Sequence, residues 1–196
     1  MIHVPLPAQA VVIGASAGGI DALLRVLPAL PASYPLPVIV VIHLSDRYPS
    51  LLAQLFAARM ALPVHEAEDK QPIEAGHVYF APPGYHLLVE RNRHFALSID
   101  APVHYSRPAI DVLFASAADA YGAGLVGVLL TGANADGAAG LAAIARCGGR
   151  VWVQSPAEAT VSAMPEAALK ATKPDAIVTL DQLATLLVAL PGKESP

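Results

Sequence analysis

The sequence predicts an α/β domain: a three-layer, doubly wound, mainly parallel sheet with an antiparallel β-hairpin insert. Three observations carry that prediction. Strand-like and helix-like segments alternate along most of the chain, the pattern of a parallel sheet with helices on its faces. Strands such as Val38-Ile39-Val40-Val41-Ile42 are continuously apolar, as strands covered on both faces are. The middle of the chain departs from the alternation, with short strands separated by Pro82-Pro83-Gly84 and Arg91-Asn92-Arg93. Those spacers are turn-like, and the segment reads as an antiparallel hairpin.

Taken in order, residues 10–14 form a first strand that runs into Gly14-Ala15-Ser16-Ala17-Gly18-Gly19. A helix over 18–29 follows, broken by Pro28 and Pro31. Residues 32–37 are a proline-punctuated connection to the second strand, 38–43. A helical pattern covers 50–60, with Leu51, Leu52, Leu55 and Phe56 on one face. Pro49 suits its first turn. A short strand over 62–66 precedes the middle strands 76–81, 85–90 and 94–99. A helix over 109–121 and a buried strand over 125–130 resume the alternation. The loop from Thr131 to Gly137 leads into a helix over 138–146, ended by Gly148-Gly149. A strand over 150–154, a short helix over 165–170 and a strand over 176–179 follow. The last helix, 181–190, would be capped by Asp181. One domain is expected over 10–190, with 1–9 an arm or linker and 191–196 a tail.

The totals narrow the function. The chain has 196 residues, of which 55% are hydrophobic and 14% charged, enough apolar material for one domain with a large core. The net charge is −4 with no basic run, which argues against a nucleic-acid partner. No apolar run reaches the roughly 18–20 residues of a membrane helix, so no membrane insertion is expected. The N-terminus lacks the charged and apolar regions of a secretory signal. Cys147 is the only cysteine, so the expected compartment is the reducing cytoplasm.

In doubly wound sheets, ligands bind beyond the carboxyl ends of the strands. Three reactive residues fall there. Ser16 follows the first strand, His43 ends the second, and Asp136 lies in the Gly-rich loop after the strand ending at Leu130. A serine hydroxyl needs a base, histidine supplies it, and a buried carboxylate fixes the imidazole tautomer. Gly14-Ala15-Ser16-Ala17-Gly18 also matches the nucleophile-elbow pattern G-x-S-x-G in its strand–turn–helix context. The order Ser…His…Asp differs from that of α/β-hydrolases.

Each residue has a plainer reading. Ser16 could be a small residue in a phosphate-binding turn, His43 a structural histidine, and Asp136 a cap on the helix that follows it. Arg107 either lines a substrate cleft or is a solvated loop residue. His65, His77, His86, His94 and His104 show no metal-ligand spacing and read as strand and loop residues. Cys147 reads as a packed thiol, with nothing arranged to lower its pKa.

Together these residues carry a resemblance. The segments Ile13-Gly14-Ala15-Ser16-Ala17-Gly18-Gly19, Val41-Ile42-His43, Glu66-Ala67-Glu68-Asp69 and His77-Val78-Tyr79-Phe80-Ala81-Pro82 occur in the order seen in one family. The run from Arg107 to Phe114, the loop from Leu130 to Gly140 and Ser162-Ala163-Met164-Pro165 continue it. The chain resembles the catalytic domain of CheB-type chemotaxis methylesterases over residues 10–190. The resemblance implies a protein-glutamate methylesterase, usually also a protein-glutamine glutaminase, acting on the cytoplasmic helices of methylated chemoreceptors. It implies Ser16, His43 and Asp136 as the triad, with no cofactor or metal. The backbone N–H groups of Ala17 and Ala133 are the expected oxyanion donors.

The chain departs from the family at three places. Ala17 stands where Thr or Ser is common, Ala133-Asn134-Ala135 where Met-Gly-Asn is common, and Leu44-Ser45 where Met-Pro is common. Members of the family also commonly carry an N-terminal receiver domain. The expectation is therefore an excised domain or a stand-alone member, with a separate receiver or regulatory domain as a partner. Two alternatives stand beside the esterase: a nucleotide-binding module using Gly14 to Gly19, and a weakened member acting as a scaffold. Against the first, the glycine spacing is G-x-x-x-G-G, and His43 stands where a ribose-binding carboxylate is expected.

Overall fold

A computed structural model describes residues 7–43 and 50–190. Seven parallel strands form the central sheet, in the order β3-β4-β2-β1-β7-β8-β9. They are β1 (Ala10–Ala15), β2 (Val38–Ile42), β3 (Val64–Glu66), β4 (Val78–Phe80), β7 (Leu125–Leu129), β8 (Arg150–Gln154) and β9 (Ala176–Val178). The antiparallel hairpin pairs β5 (His86–Val89) with β6 (Phe95–Ser98).

The helices are α1 (Gly19–Val26), α2 (Leu52–Ala57), α3 (Ile110–Tyr121), α4 (Ala138–Arg146), α5 (Ala163–Ala171) and α6 (Leu180–Val188). Successive strand residues face opposite sides, and here both sides are core. Val11, Ile13, Val38 and Val40 pack with Leu23 of α1, Phe56 of α2 and Leu183 of α6. Val12, Ile39 and Val41 pack with Phe114 of α3, Leu141 of α4 and Met164 of α5, and with Leu87 and Phe95 of the hairpin. The continuous apolar runs thus reflect burial on both faces of a three-layer domain.

Several boundaries differ from the sequence expectation. The strand around Val78 is not part of the insert; it lies in the main sheet, parallel to β2 and β3. Only β5 and β6 make the hairpin. The last helix is capped by Thr179, whose hydroxyl accepts from Gln182 N while Gln182 Oε1 accepts from Thr179 N. This is a capping box, so Asp181 is not the cap; it sits in the first turn and pairs with Arg25 at 3.0 Å. The first helix gives way at Leu27 to a 3-10 turn that contains Pro28. Cys147 is exposed rather than packed, because it caps the C-terminal end of α4 as the chain turns outward at Gly148. Pro49, Leu44 and Ser45 lie outside the described residues.

The chain moves from β1 to β2, β3 and β4 on one side, then returns beside β1 with β7, β8 and β9 on the other. The switch point lies beside β1. At such a point the loops leaving adjacent strands diverge and open a crevice. Gly14 shapes it. A Cβ there would collide with Ile110 and come within 2.9 Å of Leu129 Cδ1. The glycine lets the N-terminus of α3 approach β1 closely, directly beneath the crevice.

Candidate active site

β2, β1 and β7 are neighbours in the sheet, so His43, Ser16 and the 131–137 loop leave from adjacent carboxyl ends. The ladder continues past the strands. Leu130 N donates to Gly14 O (2.9 Å), Ser16 N to Thr131 O (2.9 Å) and His43 N to Ala15 O (3.2 Å). The backbones of all three segments are therefore registered against one another before any side chain is considered.

The side chains complete the array. Ser16 Oγ lies 3.2 Å from His43 Nδ1, and His43 Nε2 lies 2.7 Å from Asp136 Oδ2. The His43 side chain is 11% exposed and that of Asp136 fully buried. Burial pushes the Asp136 carboxyl up, but the His43 bond and the amides of Asp111 and Ile110 outweigh it. The net effect holds Asp136 below its ordinary value, as an ionised acceptor. His43 Nε2 must then carry the proton, which leaves Nδ1 to accept from the Ser16 hydroxyl. The ring is used in the reverse sense to chymotrypsin-type sites, where Nε2 faces the serine.

Asp136 does not cap the helix that follows it. Its Oδ2 accepts from Ile110 N (2.7 Å) and its Oδ1 from Asp111 N (2.9 Å). These are first-turn amides of α3, whose dipole favours a negative charge there. The adjoining amide, Ala109 N, donates to Nδ1 of the buried His86. His86 Nε2 donates in turn to Ala101 O at 3.1 Å, so His86 ties the hairpin to the start of α3.

The turn carrying Ser16 is clamped from behind. Thr131 is buried; its hydroxyl donates to Ala17 O (2.8 Å) and accepts from Val161 N (2.9 Å). Gln154 Oε1 takes Thr131 N at 2.8 Å. Among the described residues, the amides of Ala17 and Ala133 have no protein acceptor, and both residues are exposed.

Gly132 fills the gap between Ser16 and Met164. A Cβ there would meet Met164 Sδ at 2.6 Å and Ser16 Cβ at 3.0 Å. The nearest atoms, Met164 Cε at 2.5 Å and Sδ, are the flexible end of a buried side chain and can shift, while Ser16 Cβ must give by a few tenths of an ångström. Overpacking typically costs about 1–3 kcal/mol. A displaced nucleophile costs more in rate, about 100-fold per ångström. Gly132→Ala is therefore expected to lower turnover by about 2- to 5-fold while remaining folded, as read by turnover and chemical denaturation.

Arg107 precedes a cis proline, Pro108. Its Nη1 donates to Ile99 O (2.9 Å) and Asp100 O (3.1 Å), so the guanidinium braces its own loop. His65 and His77, distant in sequence, meet at 3.1 Å between Nε2 and Nδ1, one imidazole donating to the other. His104, Asp111 and Asp136 place ligand-type atoms within 4.8 Å of one another. The Asp136 oxygens there are already engaged by three N–H donors. His94 bonds only its own turn, at Asn92 O.

The fold and this array define a class: a doubly wound α/β domain with a Ser–His–Asp array across the switch point. The chain belongs to the CheB methylesterase family, whose sequence profile matches residues 11–187. It is 43% identical over 182 residues to a relative from Leptospira interrogans, covering 93% of this chain and 94% of the relative. That relative is provisionally named a protein-glutamate methylesterase/protein-glutamine glutaminase. A relative of that name from Symbiobacterium thermophilum is 36% identical over 96% of this chain. The chain spans about half of that longer protein, 52% of its length. The crystal structure of the Thermotoga maritima CheB methylesterase catalytic domain superimposes with a TM-score of 0.89 at 30% identity, covering 94% of this chain and all of that one.

Proposed function

We propose that this protein hydrolyses glutamate γ-methyl esters on the cytoplasmic helices of chemoreceptors, through Ser16, His43 and Asp136. The observation that supports this best is the continuous chain of contacts from Ser16 Oγ to Asp136, 3.2 and 2.7 Å, at three adjacent strand ends. His43 Nδ1 takes the Ser16 proton as Oγ attacks the γ-carbonyl carbon. The oxyanion is held by the Ala17 and Ala133 amides; such donors are typically worth about 3–4 kcal/mol each. The tetrahedral adduct collapses, the C–OCH3 bond breaks, and His43 returns the proton to give methanol. Water then attacks the acyl-Ser16 by the reverse sequence of proton transfers, releasing glutamate. Every proton and charge has a protein partner, so the steps call for no metal or cofactor.

The same steps with ammonia as leaving group would deamidate glutamine, in keeping with the names of the relatives. The Ala17 and Ala133 side chains differ from the common family residues, but the chemistry uses their backbone N–H groups. Arg107, whose Nη1 braces the backbone of Ile99 and Asp100, would on this reading also meet an acidic segment of the substrate. On this reading the protein works in the cytoplasm, and a separate receiver or other regulatory domain would control it. No helix of the described residues is long and apolar enough to cross a membrane.

The test is methanol release from a methylated receptor cytoplasmic fragment. The reading requires release that depends on the folded protein. A folded protein that releases no methanol from that fragment would overturn it.

A further inference from the structure

Neither α3 nor α4 caps itself. Their N-cap residues, Ala109 and Gly137, offer no side-chain acceptor. Each helix instead receives a carboxylate from the other. Asp136, just ahead of α4, takes the Ile110 and Asp111 amides of α3. Asp111, in the first turn of α3, sends Oδ1 back to Gly140 N in the first turn of α4, at 2.6 Å. Its other oxygen lies 3.2 Å from His104 Nε2. The exchange requires the helices to cross closely. Gly140 permits this, since a Cβ there would come within 2.5 Å of Phe114 Cβ.

We infer that Asp111 is a positioning residue for the reaction: by holding the N-terminus of α4 against α3, it fixes Asp136 against His43. The inference rests on the triad reading above. Asp111 touches neither Ser16 nor His43, and its side chain is only 13% exposed. Burial pushes its carboxyl up, and the neighbouring Asp136 adds to this, while the Gly140 amide and His104 pull it down. The balance lies above the ordinary value. A partly buried carboxyl kept at that cost needs a role, and the backbone amides that pair with it, Gly140 and Gly137, belong to the helix that Asp136 precedes and to its N-cap. If the Asp111–Gly140 bond is removed, the 131–137 loop loses its tether to α3 on one side. Asp136 then keeps its bonds from His43 Nε2, Ile110 N and Asp111 N, without the Gly140 tether behind them.

The test compares Asp111→Ala, which removes the acceptor, with Asp111→Asn, whose Oδ1 can still accept from Gly140 N. Two readouts are taken: methanol release, and the downfield proton resonance of His43 Nε2–H on Asp136, which needs no substrate. Asp111→Ala is expected to lower kcat about 10- to 100-fold, as displacements near 1 Å do, with KM within about twofold. Its resonance should move upfield or broaden away. Asp111→Asn should restore both to near the wild-type values. If Asp111→Ala does not fold, Asp111→Ser, too short to reach Gly140 but well tolerated in a first helical turn, takes its place.

A folded acceptor-less variant with wild-type kcat and an unmoved resonance would overturn the inference. So would Asp111→Asn behaving like Asp111→Ala, which would make the charge and not the tether the active property. Should the wild type release no methanol, the substrate reading fails, while the resonance still decides the role of Asp111.

Discussion

Ser16→Ala is expected to abolish methanol release while leaving the fold untouched. The hydroxyl makes one described contact, with His43 at 3.2 Å. The turn is held by backbone groups that the substitution keeps: Ser16 N to Thr131 O, and Gly19 N to Ser16 O. Stability should therefore change by no more than about 0.5 kcal/mol, the usual range for a half-exposed site without special contacts. The rate should fall by about 10^4-fold or more, since the residues of a triad act as a unit. A circular dichroism spectrum and a denaturation curve matching wild type, with no methanol above background, is the expected pair of results.

Asp136→Asn is expected to damage both rate and stability. The carboxylate receives three donors: His43 Nε2–H, Ile110 N and Asp111 N. An asparagine side chain has one acceptor oxygen and an NH2 group, so it cannot satisfy all three. Either an amide of α3 is left unpaired, at about 1–3 kcal/mol, or His43 adopts the wrong tautomer. The latter change costs about 10^4 in kcat in the chymotrypsin system. The pH dependence has a definite sign. The folded-state pKa of Asp136 is depressed, so its contribution to stability is present above the unfolded value of about 3.9. It is lost as the pH falls through the lower folded value. Urea denaturation should thus show a wide gap between wild type and Asp136→Asn at neutral pH that narrows in acid.

The central strands themselves were legible because burial on both faces leaves continuous apolar runs in β1, β2 and β7. The positions of Ser16, His43 and Asp136 at their ends were legible for the same reason. Pairing partners were not. The three residues Val78 to Phe80 read like the hairpin strands after them, and only the tertiary partner, β2, distinguishes them. Local chemistry misled where a better acceptor stood one or two residues away: Thr179 caps the last helix although Asp181 is also acidic and near its start. Asp136 shows the deeper limit. An aspartate before a helix reads as that helix's cap, whereas here it caps α3, 26 residues earlier in the chain. The complementary role of Asp111, and that of His86 at Ala109, depend on the same crossing of α3 and α4. No spacing in the chain encodes that crossing, although Gly140, a glycine in the first turn of a helix, is the one local sign of it.

The central claim is that His43 and Asp136 make Ser16 an activated nucleophile. The most direct test is labelling with a fluorophosphonate followed by peptide mass mapping. The account predicts a single adduct on the peptide carrying Ser16 in the wild type, and none in His43→Ala or Ser16→Ala. A folded wild-type protein that stays unlabelled, or that carries its adduct on another residue, would contradict it.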